Sequence, residues 1–295
     1  LKLAERAFSL KPKHEKTQDF LLTLQAKKED WSGARKTLSA KLKYGTLPRD
    51  VHRRRDAVLA LSEAKSILAE GKNIEAREAA IEANRLSPDL IPAATMAARS
   101  YMEGGKVKNA LRVIKKAWEV RPHPDLATVF LEVTEKEDHI YRIKSFKSLS
   151  RVQVNHNETK MFLAELYVSS EDFDAARLVI NDLVQSVPTA RLLTIRAAIS
   201  KGEGADDELV RGLLNEALKA SRGSQWVCEN CSQVHVHWVS VCVNCFSLDT
   251  LSWQEMPTEN NFNLPESVEL FLESDDFDKG DIKIDVSLDQ DLNKK

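Results

Sequence analysis

Four cysteines, the only ones in the chain, fall in one short stretch as Cys228-x2-Cys231-x10-Cys242-x2-Cys245. Two residues between thiols allow a tight knuckle whose sulfurs both face one ion, and a second knuckle about a dozen residues on can close the shell from the other side. The chemistry this spacing supports is tetrahedral S4 coordination of Zn2+, with a single iron as the alternative. Four thiolates leave no open position for a substrate, so the site reads as structural. Disulfides are the competing use of four cysteines, and a reducing compartment disfavours them. Other groups that could do chemistry are dispersed. No Ser-His-Asp or Cys-His arrangement is readable, Asp206 and Asp207 sit in a turn-like context, and no Gly-x-Gly-x-x-Gly is present to hold a dinucleotide. The chain is therefore expected not to be an enzyme.

His235 and His237 lie between the knuckles, but with four thiolates completing the shell they read as exposed strand residues. Trp226, Trp238 and Trp253 flank the cysteines and read as a mini-core sealing the cluster rather than as a stacking platform for a ligand ring. Around them Val227, Val234, Val236, Val241 and Leu251 alternate as short strands do, and the ten residues between knuckles are expected to form a hairpin. A module this small cannot fold on apolar burial alone, so the ion must supply much of its stability. One departure is visible. Ser232 and Phe246 follow the second cysteine of each knuckle, where glycine commonly accepts positive φ. That departure weakens a redox role more than a zinc role, because redox tuning leans on N–H···S bonds at that turn.

What positions this module is a helical array. Ala64, Ile67, Gly71, Ala76, Ala80, Ala83 and Pro88 recur as Ala98, Tyr101, Gly105, Ala110, Ile114, Ala117 and Pro122, each 34 residues later. That is the period of the tetratricopeptide repeat, in which small residues sit where two antiparallel helices approach and proline ends the second. Ala164, Tyr167, Ala176, Ile180 and Pro188 repeat the pattern 66 residues beyond the second unit, with a degenerate unit from about 125 to 157 between. Gln18 to Leu42 reads as an earlier pair with Leu21, Leu22, Ala34 and Leu38 in packing positions. Thr189 to Ala220 reads as a last pair using Ala197, Ala198, Leu214 and Ala217, broken at Gly202 and Gly204. Leu1 to Pro12 reads as the second helix of a further unit, so the chain is taken as a fragment whose N-terminal portion is missing.

The expected fold is thus all-α, a right-handed tetratricopeptide solenoid over 1–222, followed by a small rubredoxin-like or zinc-ribbon β module over 225–254. An acidic tail over 255–295 is expected to be disordered, with Ser267 to Leu272 as a transient helix or a partner-binding segment. The chain of 295 residues carries 30% charged residues and a net charge of −2, but the tail holds 12 acids against 4 lysines, leaving +6 on the rest. No apolar run of about 18 residues is present to span a membrane. Arg142, Lys144, Lys147 and Arg151, and likewise His52 to Arg55, read as solvated faces, with acidic tail or phospholipid headgroups as alternative partners for the arginines. The stretch Ser232 to Val241 holds no lysine or arginine, so nucleic acid is not an expected partner.

Arg53-Arg-Arg55 leading into a repeat, Ser87-Pro-Asp-Leu-Ile-Pro92, Arg121-Pro-His-Pro124 and Phe246-Ser-Leu-Asp-Thr-Leu-Ser-Trp253 resemble the HemY-type proteins of alphaproteobacteria over about residues 1–254. The resemblance implies an inner-membrane protein anchored by N-terminal helices absent here. It implies a cytoplasmic repeat domain and a non-catalytic association with late haem biosynthesis, with protein partners that include haem-biosynthetic enzymes. The architecture is also similar to lipopolysaccharide assembly protein B, tetratricopeptide repeats followed by a tetracysteine module. The expectation drawn from all this is a scaffold that binds protein partners in a repeat groove. The alternatives are an iron electron-transfer module and a lipopolysaccharide-assembly adaptor.

Overall fold

The computed structural model describes residues 1–183 and 188–255. The acidic segment from 256, including the helix expected at 267–272, lies outside the described residues. The chain opens with α1 (Lys2–Leu10), then helix pairs: α2 (Glu15–Lys27) with α3 (Trp31–Lys43), α4 (Arg49–Ala69) with α5 (Asn73–Leu86), and α6 (Ile91–Glu103) with α7 (Val107–Val120). Three more follow: α8 (Pro124–Val133) with α9 (His139–Leu149), α10 (Asn157–Ser169) with α11 (Phe173–Ile180), and α12 (Ala190–Gly202) with α13 (Asp207–Lys219). Three strands end the described chain: β1 (Ser224–Cys228), β2 (Val234–His235) and β3 (Leu251–Glu255). The fold is a tetratricopeptide-type helical array carrying a small antiparallel sheet.

Small residues explain how closely the helices approach. Ala57, Ala60, Ala64, Ala80, Ala83, Ala93, Ala97, Ala98, Ala110 and Ala117 are all fully buried, so backbones meet where a larger side chain would hold them apart. From α6 onward the first helix of each pair begins at 91, 124, 157 and 190, a step of 33 residues. The residue before the last three of these starts caps its helix, whereas Leu90 before α6 offers no side-chain cap. His123 Nδ1 accepts from Asp125 N–H (3.0 Å) and His156 Nδ1 from Glu158 N–H (3.1 Å), while Thr189 caps through Leu192 N–H (3.3 Å). The tight turn inside a pair needs a left-handed residue, which is Gly71, Gly105 and Gly204 in three pairs but Glu29 (φ 58°) and Glu171 (φ 60°) in two others.

The middle pairs are filled by aromatic rings. Trp118, Phe130, Phe146 and Phe162 meet at centroid distances of 4.7 to 6.2 Å, mostly edge-to-face, and Trp118 Nε1 donates to Thr159 Oγ1 at 3.0 Å. Arginines tie neighbouring pairs together: Arg35 bonds Asp56, Glu63 and Glu82, Arg99 bonds Glu132, and Arg191 bonds Glu158 and Glu165. In the last pair Ala197 packs inward with Leu193, Val210 and Leu213, but Ala198 and Leu214 lie exposed, one helical position away from the buried stripe.

The sheet order is β2-β1-β3, both pairings antiparallel, with Trp226 opposite Trp253 and Cys228 opposite Leu251. The expected hairpin between the knuckles does not form. Each knuckle is itself the bend of a hairpin: Cys228 to Cys231 joins β1 to β2, and Cys242 to Cys245 lies inside an isolated bridge between Val241 and Leu248. The reason is local. Ser232 N–H bonds Cys228 C=O (2.8 Å) and Phe246 N–H bonds Cys242 C=O (2.9 Å), which reverses the chain at the thiols and leaves Val236 and Trp238 outside the strands.

Candidate metal centre

All four Sγ atoms lie within 4.8 Å of one another, with Cys228–Cys245 at 3.6 Å and Cys231–Cys242 at 3.7 Å. Tetrahedral zinc with Zn–S bonds near 2.3 Å requires sulfurs about 3.8 Å apart, so the spacing fits one ion. The two knuckles are near copies. Ser232 and Phe246 both sit at φ 58°, so the turn takes its left-handed conformation without glycine. Cys228 and Cys242 are fully buried. Polar neighbours offset the thiolate charge: Thr250 Oγ1 lies 3.2 Å from Cys228, Ser247 Oγ 3.4 Å from Cys245, and His235 Nε2 3.4 Å from Cys242. Hydrogen bonds from Asn230 and Ser247 draw the Cys245 thiol down to about 5, while burial raises Cys242 to about 11. The four thiols can hold one ion with zinc-like or iron-like geometry. His235 is half-buried against a thiol and stands as a neighbour of the shell, and His237 is exposed.

Around this centre the ribbon is not free-standing. Trp226, Trp238, Cys228, Cys242 and Leu251 belong to one continuous buried cluster with Ala57, Leu90, Ile91, Trp118 and Leu126 of the array. His123, fully buried, packs between Trp226 (5.1 Å) and Trp253 (4.3 Å), so those two tryptophans close the seam with the array. Its Nε2 has no hydrogen-bond partner, and burial pushes its pKa down to about 3, so the ring is neutral. Lys65 of α4 lies over Trp238 (5.1 Å) and Lys27 of α2 over Phe246 (4.1 Å).

The arginines expected on a solvated face are instead split by role. Arg54 donates to Asp249 (3.3 Å), a carboxylate only 11% exposed, and to Asp89 (3.1 Å), while Arg53 donates to Leu86 C=O. Arg54 therefore bolts the second knuckle to α4. On α9, Arg142 donates to the carbonyls of Thr134 and Glu135, Lys147 lies over Tyr167, and Lys144 is exposed. Asp206 and Asp207 are exposed at the start of α13. Sequence reading missed His123 and the Arg54–Asp249 pair. A histidine between two prolines was the one available signal for the first; the second had none.

The ribbon thus rests on first helices, α2, α4 and the start of α8. Beyond β3, among the described residues, the same face stays open. A cavity of about 1130 Å³ is walled by Trp253, Gln254 and Glu255 of β3 and floored by α8 (Ala127, Thr128, Leu131), α10 (Met161, Phe162, Glu165) and α12 (Arg191, Leu192). A smaller one, about 770 Å³, lies where the ribbon meets α4 and the α5–α6 turn, among Arg49, Arg53, Arg54, Asp89 and Asp249.

No family model matches the chain, and no curated protein does. Among solved structures the chain is similar to a tetratricopeptide repeat protein from Parabacteroides merdae, 16% identical, over 73% of this chain and 90% of that one, at a TM-score of 0.34.

Proposed function

We propose that this chain is a non-catalytic scaffold that grips a protein partner along the open part of its first-helix face. The single observation that carries the reading is the 1130 Å³ groove, because it continues the repeat face past the ribbon and is walled by a strand edge. In this reading Cys228, Cys231, Cys242 and Cys245 ligate one Zn2+, which fixes the ribbon and hence that wall. Sulfur spacing and the absence of an open coordination position support the assignment. Iron suits the same four thiolates, and a red protein with a reversible one-electron couple would make the electron-transfer reading the better one. We treat 1–222 as the repeat domain, 225–254 as the metal module and 255–295 as an acidic extension.

The biological setting rests on the junction motifs alone. Their likeness to HemY-type proteins supports a place beside a late haem-biosynthetic enzyme on the cytoplasmic side of a bacterial inner membrane, with anchoring supplied by a segment outside this sequence. Among the described residues no helix is long and apolar enough to cross a membrane. The architectural likeness to lipopolysaccharide assembly protein B supports an adaptor role in that process as the second setting.

The test is a pull-down from membranes with the full chain and with Leu131→Glu, alongside elemental analysis of the untagged protein. Leu131 lines the groove and is 38% exposed, so the substitution leaves the core intact. Capture should fall roughly tenfold in the variant, as for a residue at the centre of an interface. Equal capture by both would refute the groove as the binding face, and identification of the captured protein separates the two settings.

A further inference from the structure

Six arginines of the array, Arg35, Arg54, Arg77, Arg99, Arg177 and Arg191, are neutralised by carboxylates outside their own helices. One groove gathers cations without such pairing. Between α7 and α9, the second helices of adjacent pairs, a shallow groove of about 580 Å³ is lined by Lys108, Arg112, Lys115 and Lys144, by the hydroxyls of Tyr141, Ser145 and Ser148, and by Leu111 and Leu149. No aspartate or glutamate lines it. Lys108, Arg112 and Lys144 make no ion pair among the described residues, and Lys115 has only Glu119 at 3.9 Å. Four cations held together with only Glu119 near one of them repel one another, and the array keeps them on a surface patch with an apolar floor. Such a patch suits an anionic segment that also carries aromatic side chains.

We propose that the segment of this chain around Glu273 to Asp281 docks in the groove between α7 and α9. Residues 256–295 carry 11 acids against 4 lysines, and five of those acids, Glu273, Asp275, Asp276, Asp278 and Asp281, fall within nine residues beside Phe271, Leu272 and Phe277. The dimensions agree. Lys108 and Lys115 are seven residues apart on one helix, about 10.5 Å along its axis. Asp275 and Asp278 in extended chain stand about 10 Å apart. Phe277 between them meets the floor of Leu111 and Leu149, with Tyr141 at its side. Eighteen residues separate Glu255 from Glu273, a reach of up to about 60 Å, against about 20 Å for the thickness of two helix layers. Tethering holds the segment near millimolar effective concentration, which favours it over a free acidic peptide of the same sequence.

The experiment is zero-length carbodiimide cross-linking of the full chain at low salt, with the linked peptides read by mass spectrometry. Lys108, Lys115 or Lys144 should link to acids of 273–281, and the links should disappear at about 0.5 M salt because the contacts are screened. A variant carrying Lys108→Glu, Arg112→Glu, Lys115→Glu and Lys144→Glu lacks the reacting amines and so forms none of these links, which makes it the blank for the charge exchange. Adding Asp275→Lys, Asp276→Lys and Asp278→Lys should restore links between the same positions with the charges exchanged. Lys108, Arg112, Lys115 and Lys144 are exposed, so an unchanged thermal melt checks that each variant is folded. Links spread evenly over other lysines, or none at all, would overturn the proposal. So would links that join differently isotope-labelled copies, which would make a second molecule the occupant.

Discussion

The helical array and the ribbon hold themselves together by opposite means. In the array each pair touches its neighbours, stability is spread over many fully buried alanines and a few ring clusters, and removing one contact leaves the rest in place. The ribbon has a two-residue strand, three short strands in all, and a core consisting of two cysteines, Leu251 and ring edges. It relies on a single thiolate cluster and on a handful of contacts with helices far away in sequence. The difference teaches that repetition makes a fold tolerant, whereas closure around one point makes it conditional. Perturbations at the point should be severe, and perturbations in the repeats graded.

Cys242→Ser is the harshest way to break the ribbon. Loss of one thiolate from a four-thiolate site should release the metal and collapse residues 226–253. Zinc content and near-ultraviolet dichroism of the tryptophans should fall together, while far-ultraviolet helix signal persists. Full metal content in that variant would remove Cys242 from the ligand set. Trp226→Ala comes next. It empties the place of a 6%-exposed ring between the sheet and His123, at about 3–5 kcal/mol in denaturant unfolding, with the metal retained.

Acid should loosen the same seam. Burial holds His123 at about 3, below the usual histidine value of 6.5, so below pH 6.5 the unfolded chain takes up a proton that the folded chain refuses. The contribution is fully present above pH 6.5 and is lost progressively down to about 3, amounting to about 2 kcal/mol by pH 5. His123→Asn keeps a capping side chain without titrating, so the stability gap between it and the parent should shift by that amount between pH 7 and 5. A constant gap would show that the histidine does not couple to acid. The mildest change tests the array alone. Glu171 occupies a left-handed turn position and is exposed, so Glu171→Gly should raise the helix melt by about 1 kcal/mol and leave the ribbon's metal content untouched.

The parts most legible in the sequence are those whose causes are local. The spacing of small residues reports helix pairs because close backbone approach demands alanine or glycine at fixed intervals, and Cys-x-x-Cys reports a knuckle because the chain between thiols has only one way to turn. Ser232 and Phe246 stand out in the sequence as departures from the glycine usual at that turn, yet both adopt its positive φ. What stayed hidden depends on partners distant in the chain. Arg54 looks like one of three identical arginines until Asp249, 195 residues later, is placed beside it. His123 looks like a junction residue until Trp226 and Trp253 close over it. In the last pair Ala197 and Ala217 pack inward as expected and Ala198 and Leu214 do not, since Ala197 and Ala198 are indistinguishable by type and only packing against Val210 and Leu213 selects the first.

That separation between Arg54 and its carboxylate has a consequence for assembly. A growing polypeptide completes its helix pairs long before the cysteines emerge, so α4 and α8 spend the interval with an apolar surface that nothing yet shields. In the proposed zinc-bound form the final closure waits on an ion from outside the chain, and a shortage of that ion would leave otherwise finished molecules sticky and open to capture by chaperones or proteases. With the four thiolates holding an ion as proposed, maturation would be coupled to the supply of metal.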